Sequence, residues 1–437
     1  MLSAADNEML VQVGPKTSTG EFMRQHWIPF LPSSDLVADG EPKRVRLLGE
    51  DLVAFRNTNG QVGLLDHACP HRGAPLVYAR NEECGLRCVY HGWKFDHEGR
   101  TLEMPAEPPE STFKNNVRVK WYPCTERNGI VWTYMGDRKE NPPPLPNMEW
   151  NLVPEAQVHI SLRVQECNWL QALEGDLDPA HGQFLHNKID GKGDLEAKLA
   201  ARGRPTFDVL RQDFGVSIAA KRTAPENTIY WRVNQFLLPF YTMTPPTFAQ
   251  ISGHAWVPID DHHTLSLMFS YHPTEPLSEK ARTLFRDGHK GRETGHASVN
   301  SRRENQEGLP FAGYWTKYGR ENNFRFDYQS QVTTWFSGIP GLWVQDDACQ
   351  AGNGPVLDRT KERLGVTDSG IVIMRRVLLE AIKSYARDGT LPAIVSNPDV
   401  SMIRPVGVNL PPDQPWWGGE DRNFMKAELG KDLGYSV

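Results

Sequence analysis

Two short segments each contain one cysteine and one histidine, and they restrict the fold more than any other feature of the sequence. The first is Cys69-Pro70-His71, and the second is Cys88-Val89-Tyr90-His91. Gly73 and Gly92 follow the two pairs and let the backbone approach a metal centre closely. Four ligands from two such loops can surround one centre only if the chain between them, residues 72–87, folds back on itself.

This ligand set suits two kinds of centre. A [2Fe–2S] cluster with two cysteines and two histidines has a higher reduction potential than an all-cysteine cluster, and it takes one Cys and one His from each loop. A Cys₂His₂ zinc site uses the same side chains, but zinc sites usually group Cys-x₂₋₄-Cys and His-x₃₋₅-His. We therefore favour a [2Fe–2S] cluster over zinc, with the ligands Cys69, His71, Cys88 and His91. Neither centre requires Cys84, which we expect to be buried.

The sequence around these loops predicts an all-β domain. The predicted strands are Val45–Gly49, Asp51–Phe55, Val62–Leu65, Val117–Tyr122 and Ile130–Tyr134. Asn59-Gly60 joins the second to the third and Asn128-Gly129 joins the last two, and both dipeptides are typical of type I′ turns. The run Pro142–Pro146 cannot continue a helix or a central strand. We therefore predict a first domain over residues 1–146, with its core at about 27–135, and a second over 147–437.

The second domain is predicted to be α+β. Strands are indicated at Ile229–Val233 and His263–Phe269, and a polar helix from about Gln165 to Leu173. A further amphipathic helix extends through Ile371 to Tyr385. Asp368-Ser369-Gly370 caps its start, and it stops before Gly389.

A second candidate metal site follows the predicted helix, at His181 and His186. Two His and one carboxylate can bind Fe(II) and leave positions open for O₂ and substrate. Residues five apart diverge by about 140° on a regular helix, so either a bulge brings the two His together or the helix ends between them near Gly182. The alternative is that these histidines make ordinary polar contacts. Asp178 before Pro179 could likewise be a plain helix N-cap.

Both sites resemble motifs of one family, the Rieske non-haem iron ring-hydroxylating oxygenases. Cys69-Pro70-His71-Arg72-Gly73-Ala74 and Cys88-x-x-His91-Gly92-Trp93-Lys94-Phe95 resemble its cluster-binding motif. Asp178-x₂-His181-x₄-His186 resembles its iron-binding motif. The resemblance covers nearly the whole chain and implies an all-β Rieske domain followed by a helix-grip catalytic domain with an antiparallel sheet. It also implies two cofactors per chain, a [2Fe–2S] cluster and a mononuclear Fe(II).

The third iron ligand is implied by the segment from Gly341 to Pro355, which is similar to the phthalate 4,5-dioxygenase branch of the family. The resemblance places Asp346 ahead of Asp347, although Ala351 stands where that branch usually has Glu. It also implies that Asp178 is a bridge that hydrogen-bonds His181 and, across a subunit boundary, His91 of the neighbouring chain. The protomers would form a trimer, alone or stacked into a hexamer.

The family's activity implies dihydroxylation, monooxygenation or O-demethylation of an aromatic substrate with O₂. Electrons would come from a separate NAD(P)H-dependent flavin and iron–sulfur reductase, because no Gly-rich dinucleotide fingerprint follows a strand here. An aromatic carboxylate would call for an Arg or Lys in the pocket. Lys221, Arg222 and Arg232 lie on likely strands, and we expect each of them at the surface instead.

Composition excludes other classes of partner. A net charge of −6 over 437 residues gives no basic surface for nucleic acid, and the start of the chain has acidic residues where a signal peptide would be positive. No apolar run is long enough for a membrane span, so we expect a cytoplasmic protein. The remaining alternatives are a non-catalytic Rieske electron carrier and a zinc-binding interaction module. Iron content separates them, because only the oxygenase needs a further iron beside its cluster.

Overall fold

Strands between residues 27 and 134 form three small antiparallel sheets. The computed structural model describes residues 2–189, 205–245, 250–288, 293–417 and 424–432. The strands of this first half are β1 (Trp27–Pro32), β2 (Lys43–Leu47), β3 (Glu50–Arg56), β4 (Val62–Asp66), β5 (Arg80–Glu82), β6 (Gly85–Arg87), β7 (Lys94–Phe95), β8 (Thr101–Glu103), β9 (Trp121–Tyr122), β10 (Cys124–Arg127) and β11 (Ile130–Tyr134). The sheet orders are β1-β11-β10, β2-β3-β4-β9 and β5-β6-β7-β8. The two Cys/His segments connect β4 to β5 and β6 to β7.

The turns differ in part from the sequence expectation. Asn128 and Gly129 both have positive φ, as a type I′ turn requires, but the hairpin joins β10 to β11 rather than joining the predicted Val117–Tyr122 strand. The last two residues of that predicted strand pair with β4, and Arg118 forms an isolated bridge with Arg100. At Asn59-Gly60 only Gly60 has positive φ, because the side chain of Asn57 accepts two backbone N–H groups and closes a longer loop.

Cys84 is half-buried, so the expectation that it is buried was wrong. It occupies the turn between β5 and β6, where Glu83 and Cys84 both have positive φ. Its backbone N–H donates to the hydroxyl of Thr58. A two-residue turn at the edge of a sheet leaves such a side chain little to pack against.

The second half is built on one antiparallel sheet of eight strands. They are β12 (Val158–Gln165), β13 (Thr206–Gln212), β14 (Gly215–Ala224), β15 (Thr228–Leu237), β16 (Tyr241–Thr244), β17 (Ile251–Pro258), β18 (Thr264–Tyr271) and β19 (Val406–Leu410). Their order is β12-β18-β17-β16-β15-β14-β13, and β19 pairs with β15. Every residue of β18 is buried because this strand has neighbours on both sides and is covered on both faces.

Helices surround this sheet. They are α1 (Ala4–Val11), α2 (Ser18–Arg24), α3 (Glu149–Leu152), α4 (Trp169–Leu177), α5 (Glu279–Asp287), α6 (Tyr328–Thr333), α7 (Leu342–Ala351), α8 (Ser369–Asp388) and α9 (Ala393–Ser396). The long helix α8 packs against β13 and β14 with the predicted apolar face, and it ends at Gly389 in the left-handed conformation, as expected. Asp368 precedes α8, but its carboxylate accepts the N–H of Gly365 instead of capping the helix.

Helix α4 begins later than the sequence indicates. Gln165 still belongs to β12, and Asn168 caps the helix by accepting the N–H of Leu170. The helix is largely buried rather than polar, because its residues fill the space between the sheet and α7.

The N-terminal helices α1 and α2 pack on the second half of the molecule. The predicted domain boundary at residue 146 had assigned them to the first domain. The carbonyls of Leu10 and Val11 accept hydrogen bonds from the side chains of Trp169 and Asn168 at the start of α4. Helix α2 packs against α8. Residues 4–24 therefore stabilise the helix that leads to the second metal site.

A buried ionic network fixes α4 from its other side. The carboxylate of Glu174 accepts hydrogen bonds from the guanidinium groups of Arg359 and Arg375, at 3.0 and 2.6 Å. Burial opposes ionisation of Glu174, but the two arginines outweigh it and hold the pKa of the carboxyl below its usual value. Within the described residues, no helix has the length and apolarity needed to cross a bilayer.

We expect Glu174→Gln to lower the free energy of unfolding by about 3 kcal/mol, because the buried guanidinium of Arg359 loses its counter-charge and Arg375 keeps only Glu362. The ionised carboxylate stabilises the fold above its unfolded pKa of about 4.3, and this contribution disappears as the pH falls. In urea titrations, the free energy of unfolding of the variant should therefore fall less between about pH 5 and 3 than that of the parent. Glu380→Gln, in an exposed pair with Arg211, is the matched control and should cost under about 0.5 kcal/mol. Equal effects of the two substitutions would contradict the network's role.

Candidate metal centres and substrate cavity

The two Cys/His loops have the same backbone geometry. In the first, the N–H of Cys69 donates to the carbonyl of Ala74 and the N–H of Gly73 donates to the carbonyl of Cys69, both at 2.9 Å. In the second, the N–H of Cys88 donates to the carbonyl of Trp93 at 2.8 Å, and the N–H of Gly92 donates to the carbonyl of Cys88 at 2.9 Å. Gly73 and Gly92 adopt φ of +72° and +75°, which a residue with a Cβ rarely adopts.

The loops bring their four side chains together in two layers. The thiols of Cys69 and Cys88 are 2% and 3% exposed, whereas His71 is exposed and His91 is half-buried. The two imidazole rings lie 4.4 Å apart, and Trp93 stacks on His71 at 4.4 Å. Burial and the neighbouring Cys88 raise the pKa of Cys69 to about 11, so a metal must displace the thiol proton to bind there. Two inner thiols and two outer imidazoles fit a cluster with Cys on one iron and His on the other.

The second group lies just beyond α4. This helix ends at Leu177, and a 3₁₀ turn from His181 to Gln183 separates the two histidines. The helix thus ends before both histidines, not between them as one of our alternatives supposed. Nε2 of His181 and Nε2 of His186 are 3.2 Å apart.

Helix α7 supplies the carboxylate. Oδ1 of Asp346 lies 3.6 Å from Nε2 of His181 and 3.3 Å from Nε2 of His186, so the three ligand atoms surround one point. Gly175 on α4 leaves room for the side chain of Gln350 on α7, whose amide nitrogen would lie 2.1 Å from a Cβ at that position. Two imidazoles and one carboxylate form the donor set that non-haem iron enzymes use.

Asp347 points away from the histidines. It is buried, and its Oδ1 lies 3.4 Å from the guanidinium of Arg163. Burial raises the pKa of Asp347 to about 7 in spite of that arginine. The structure thus brings Asp346, and not Asp347, to His181 and His186.

The Nδ1 atoms of His181 and His186 each have a hydrogen-bond acceptor beside them. Nδ1 of His186 lies 2.7 Å from Oε1 of Gln345, whose own amide donates to the carbonyl of Ile339. Nδ1 of His181 lies 3.4 Å from Oδ2 of Asp178. Such contacts turn the Nε2 atoms towards the metal. Sequence reasoning did not assign a role to Gln345, although it directly precedes the candidate ligand Asp346.

Asp178 is not the N-cap of an α-helix. It follows the last residue of α4, and its carboxylate accepts the N–H groups of Ala180 and His181 at 2.8 and 3.0 Å. Burial works against ionisation, but the donors from His181 and Ala180 outweigh it and hold the pKa of Asp178 below its usual value. The carboxylate therefore shapes the turn that holds His181.

The second metal group opens on a cavity of about 840 Å³ on the face of the large sheet. Arg222 and Arg232 are half-buried and line this cavity, so the expectation that they lie at the surface was wrong. Lys221 does not line it, and its ammonium lies 5.4 Å from the ring centre of Trp231. Successive residues of a strand face opposite sides of a sheet, which separates Lys221 from Arg222.

Comparisons with known proteins agree with the two-part architecture. The Rieske [2Fe–2S] domain family matches residues 26–123, and the family described as LigXa C-terminal domain like matches residues 133–402. The oxygenase subunit of 3-chlorobenzoate-3,4-dioxygenase from Comamonas testosteroni is 40% identical over 425 residues, which are 95% of this chain and 97% of that protein. The oxygenase subunit of phthalate 4,5-dioxygenase from Pseudomonas putida is 35% identical, over 88% of this chain and 87% of its own.

A solved structure shows the same fold. The terminal oxygenase of carbazole 1,9a-dioxygenase from Novosphingobium sp. KA1 superimposes with a TM-score of 0.51 over 86% of this chain and 95% of its own, at 19% identity. The fold and the two sites define an iron-dependent oxidoreductase. Within that class the chain belongs to the Rieske non-haem iron oxygenases, as the oxygenase subunit of a multicomponent system, which confirms the family expected from the sequence. Its cofactors are a [2Fe–2S] cluster and a mononuclear iron.

We expect Asp346→Asn to remove the mononuclear iron, because a neutral amide oxygen is a much poorer ligand than a carboxylate. Asp347→Asn is the matched control and should keep that iron, although the loss of the partner of Arg163 should lower stability. Mass spectrometry of bound iron, together with cluster absorbance, measures both effects. Iron loss from the Asp347 variant but not from the Asp346 variant would reverse the assignment.

Proposed function

We propose that this chain adds oxygen from O₂ to an aromatic acid bound in the cavity. The observation on which this rests is that a two-histidine, one-carboxylate group opens on the same 840 Å³ cavity as Arg232. When bound, the cluster would supply electrons and the iron would activate O₂. The proposed cluster ligands are Cys69, His71, Cys88 and His91, and the proposed iron ligands are His181, His186 and Asp346.

The residues around the iron group have defined tasks in this proposal. Gln345 accepts the Nδ1 proton of His186 and fixes the tautomer in which Nε2 is free to bind a metal. Asp178 would do the same for His181. The buried indole of Trp343 lies beside the cavity and excludes water from it.

Arg232 is proposed to bind the carboxylate of the substrate. Its guanidinium borders the cavity and has no hydrogen-bond or ion-pair partner in the described part of the chain, so its donors are available to a ligand. An arginine can bind a carboxylate through two parallel hydrogen bonds, which fixes the plane of an attached ring. Arg222 instead donates to the carbonyl of Pro179 and contacts the loop that leads to His181.

Assembly into a trimer, alone or stacked as a hexamer, would complete the electron route. Val89 and Tyr90, beside His91, are 60% and 54% exposed, and Phe184 beside the iron group is 43% exposed. Exposed apolar groups of this kind are typical of surfaces that another subunit covers. The proposed contact joins His91 of one chain to Asp178 of the next. A cytoplasmic NAD(P)H-dependent flavin and iron–sulfur reductase would supply the electrons.

We expect Asp178→Asn to retain both metal centres but to slow reoxidation of the reduced cluster by substrate and O₂ strongly, because the bridging charge is lost. Asp358→Asn is the matched control, since Asp358 also accepts backbone and hydroxyl protons at a turn but is exposed and does not line the cavity. Stopped-flow absorbance of the cluster measures the rate. Near-native reoxidation in the Asp178 variant would rule out the bridge.

The acid specificity can be tested with benzoate and the uncharged benzamide. We expect benzoate to bind at least about tenfold tighter to the parent protein, and Arg232→Met to abolish this difference, because a bidentate ion pair is lost. Lys221→Met is the matched control on the neighbouring strand and should bind like the parent. Calorimetry on the iron-loaded protein without O₂ gives the affinities, and reductase-coupled O₂ uptake reports turnover. If the parent binds both ligands equally, the substrate is not an acid held by Arg232.

A further inference from the structure

Two histidines, His254 and His296, line the cavity in addition to the proposed iron ligands. They differ in how many of their ring nitrogens have a hydrogen-bond partner among the described residues. Nδ1 of His296 lies 2.8 Å from the hydroxyl of Ser161, and its Nε2 lies 2.9 Å from the hydroxyl of Ser270. Both ring nitrogens of this buried histidine are therefore occupied by the protein. Among the described residues, His254 on β17 has a partner at one nitrogen only, its Nδ1, which lies 3.0 Å from Oδ2 of Asp176.

The proton arrangement around His254 follows from its neighbours. The indole N–H of Trp256 can only donate, so the hydroxyl oxygen of Thr242 accepts it at 2.8 Å. Thr242 then gives its own proton to Asp176. Burial opposes ionisation of Asp176, but His254 and Thr242 outweigh it and keep the pKa of that carboxyl below its usual value. A carboxylate accepts only, so Nδ1 of His254 carries the proton that it shares with Asp176.

The other nitrogen of His254 is left for a ligand. Nε2 has no hydrogen-bond partner among the residues that the structure describes, and the ring borders the cavity. Trp256 stacks on the imidazole at 4.4 Å with an angle of 22° between the planes, which fixes the ring's orientation. Because none of the described protein groups occupies it, Nε2 can accept a hydrogen bond from a ligand without breaking an existing contact.

We infer that His254 is a specificity-determining residue whose Nε2 accepts a hydrogen bond from a hydroxyl group on the ring of the aromatic acid. This inference rests on the proposed function, because Arg232 on β15 is assigned to the first carboxylate. Both side chains border the same cavity on the face of the sheet, where β17 pairs with β16 at His254 and β15 pairs with β19 at Arg232. The substrate class is therefore a benzoate with a ring hydroxyl group, and Asp176 is a positioning residue for His254.

The test compares ligands of equal size that differ in one polar atom. The probes are benzoate, the three hydroxybenzoates and the three methylbenzoates, and their affinities are measured by calorimetry on the iron-loaded protein without O₂. We expect one hydroxybenzoate to bind at least about tenfold tighter than the methylbenzoate of the same ring position. His254→Phe should remove this preference while benzoate affinity stays within about twofold, and His254→Gln should restore part of it through its amide.

His262→Phe is the matched control, because His262 is exposed on the turn between β17 and β18. Its ligand preference should equal that of the parent. Iron content and cluster absorbance of each variant show that the centres are intact. If the His254→Phe protein lacks either centre, the His254→Gln protein takes its place in the comparison.

The outcomes separate the two proposals. If benzoate binds and depends on Arg232, but the parent shows no preference for any hydroxybenzoate, the role of His254 is overturned and the proposed function stands. The same conclusion follows if His254→Phe weakens hydroxybenzoates and methylbenzoates equally. If no benzoate binds the parent at all, the acid assignment itself fails, and the inference fails with it.

Discussion

The close contact between α4 and α7 is the constraint on which the catalytic half depends. His181 and His186 follow one helix and Asp346 lies on the other, so the three ligand atoms meet only if the helices approach each other within side-chain reach. Gly175 on α4 also leaves space for the side chain of Gln350 on α7.

The surroundings of α4 hold this geometry from several directions. The N-terminal helices hydrogen-bond its first turn, and the arginines from the C-terminal part bind Glu174 on its last turn. Parts of the chain that are far apart in sequence thus stabilise one short helix. A metal site whose ligands come from a turn and a separate helix needs such support, because its geometry must be held within fractions of an ångström.

Much of the fold and of both sites could be predicted because local signals and motif spacing specify them. The strand Ile130–Tyr134, the Asn128-Gly129 turn and the end of α8 at Gly389 follow from residue type and periodicity alone. The spacing of the Cys/His pairs indicated loops that converge, and in the structure the two imidazoles lie beside each other, as do the two thiols.

Long-range contacts could not be predicted in the same way. Whether Arg232 faces the cavity or solvent depends on the register of β15 with β14 and β19, which no local signal encodes. The partners of His254 come from α4 and β16, and only the folded chain places them side by side. The choice between Asp346 and Asp347 likewise depends on Arg163, which is remote in sequence.

The layered arrangement of the Cys/His loops has a consequence for how the protein matures. Cys69 and Cys88 lie beneath the two histidines and are almost sealed, and both loops are closed by their own backbone hydrogen bonds. A solute could reach these thiols only when the loops separate, because both residues are almost inaccessible in the closed arrangement. Access to the thiols, and with it any loading of a cluster on them, would therefore follow the local opening of this small β domain.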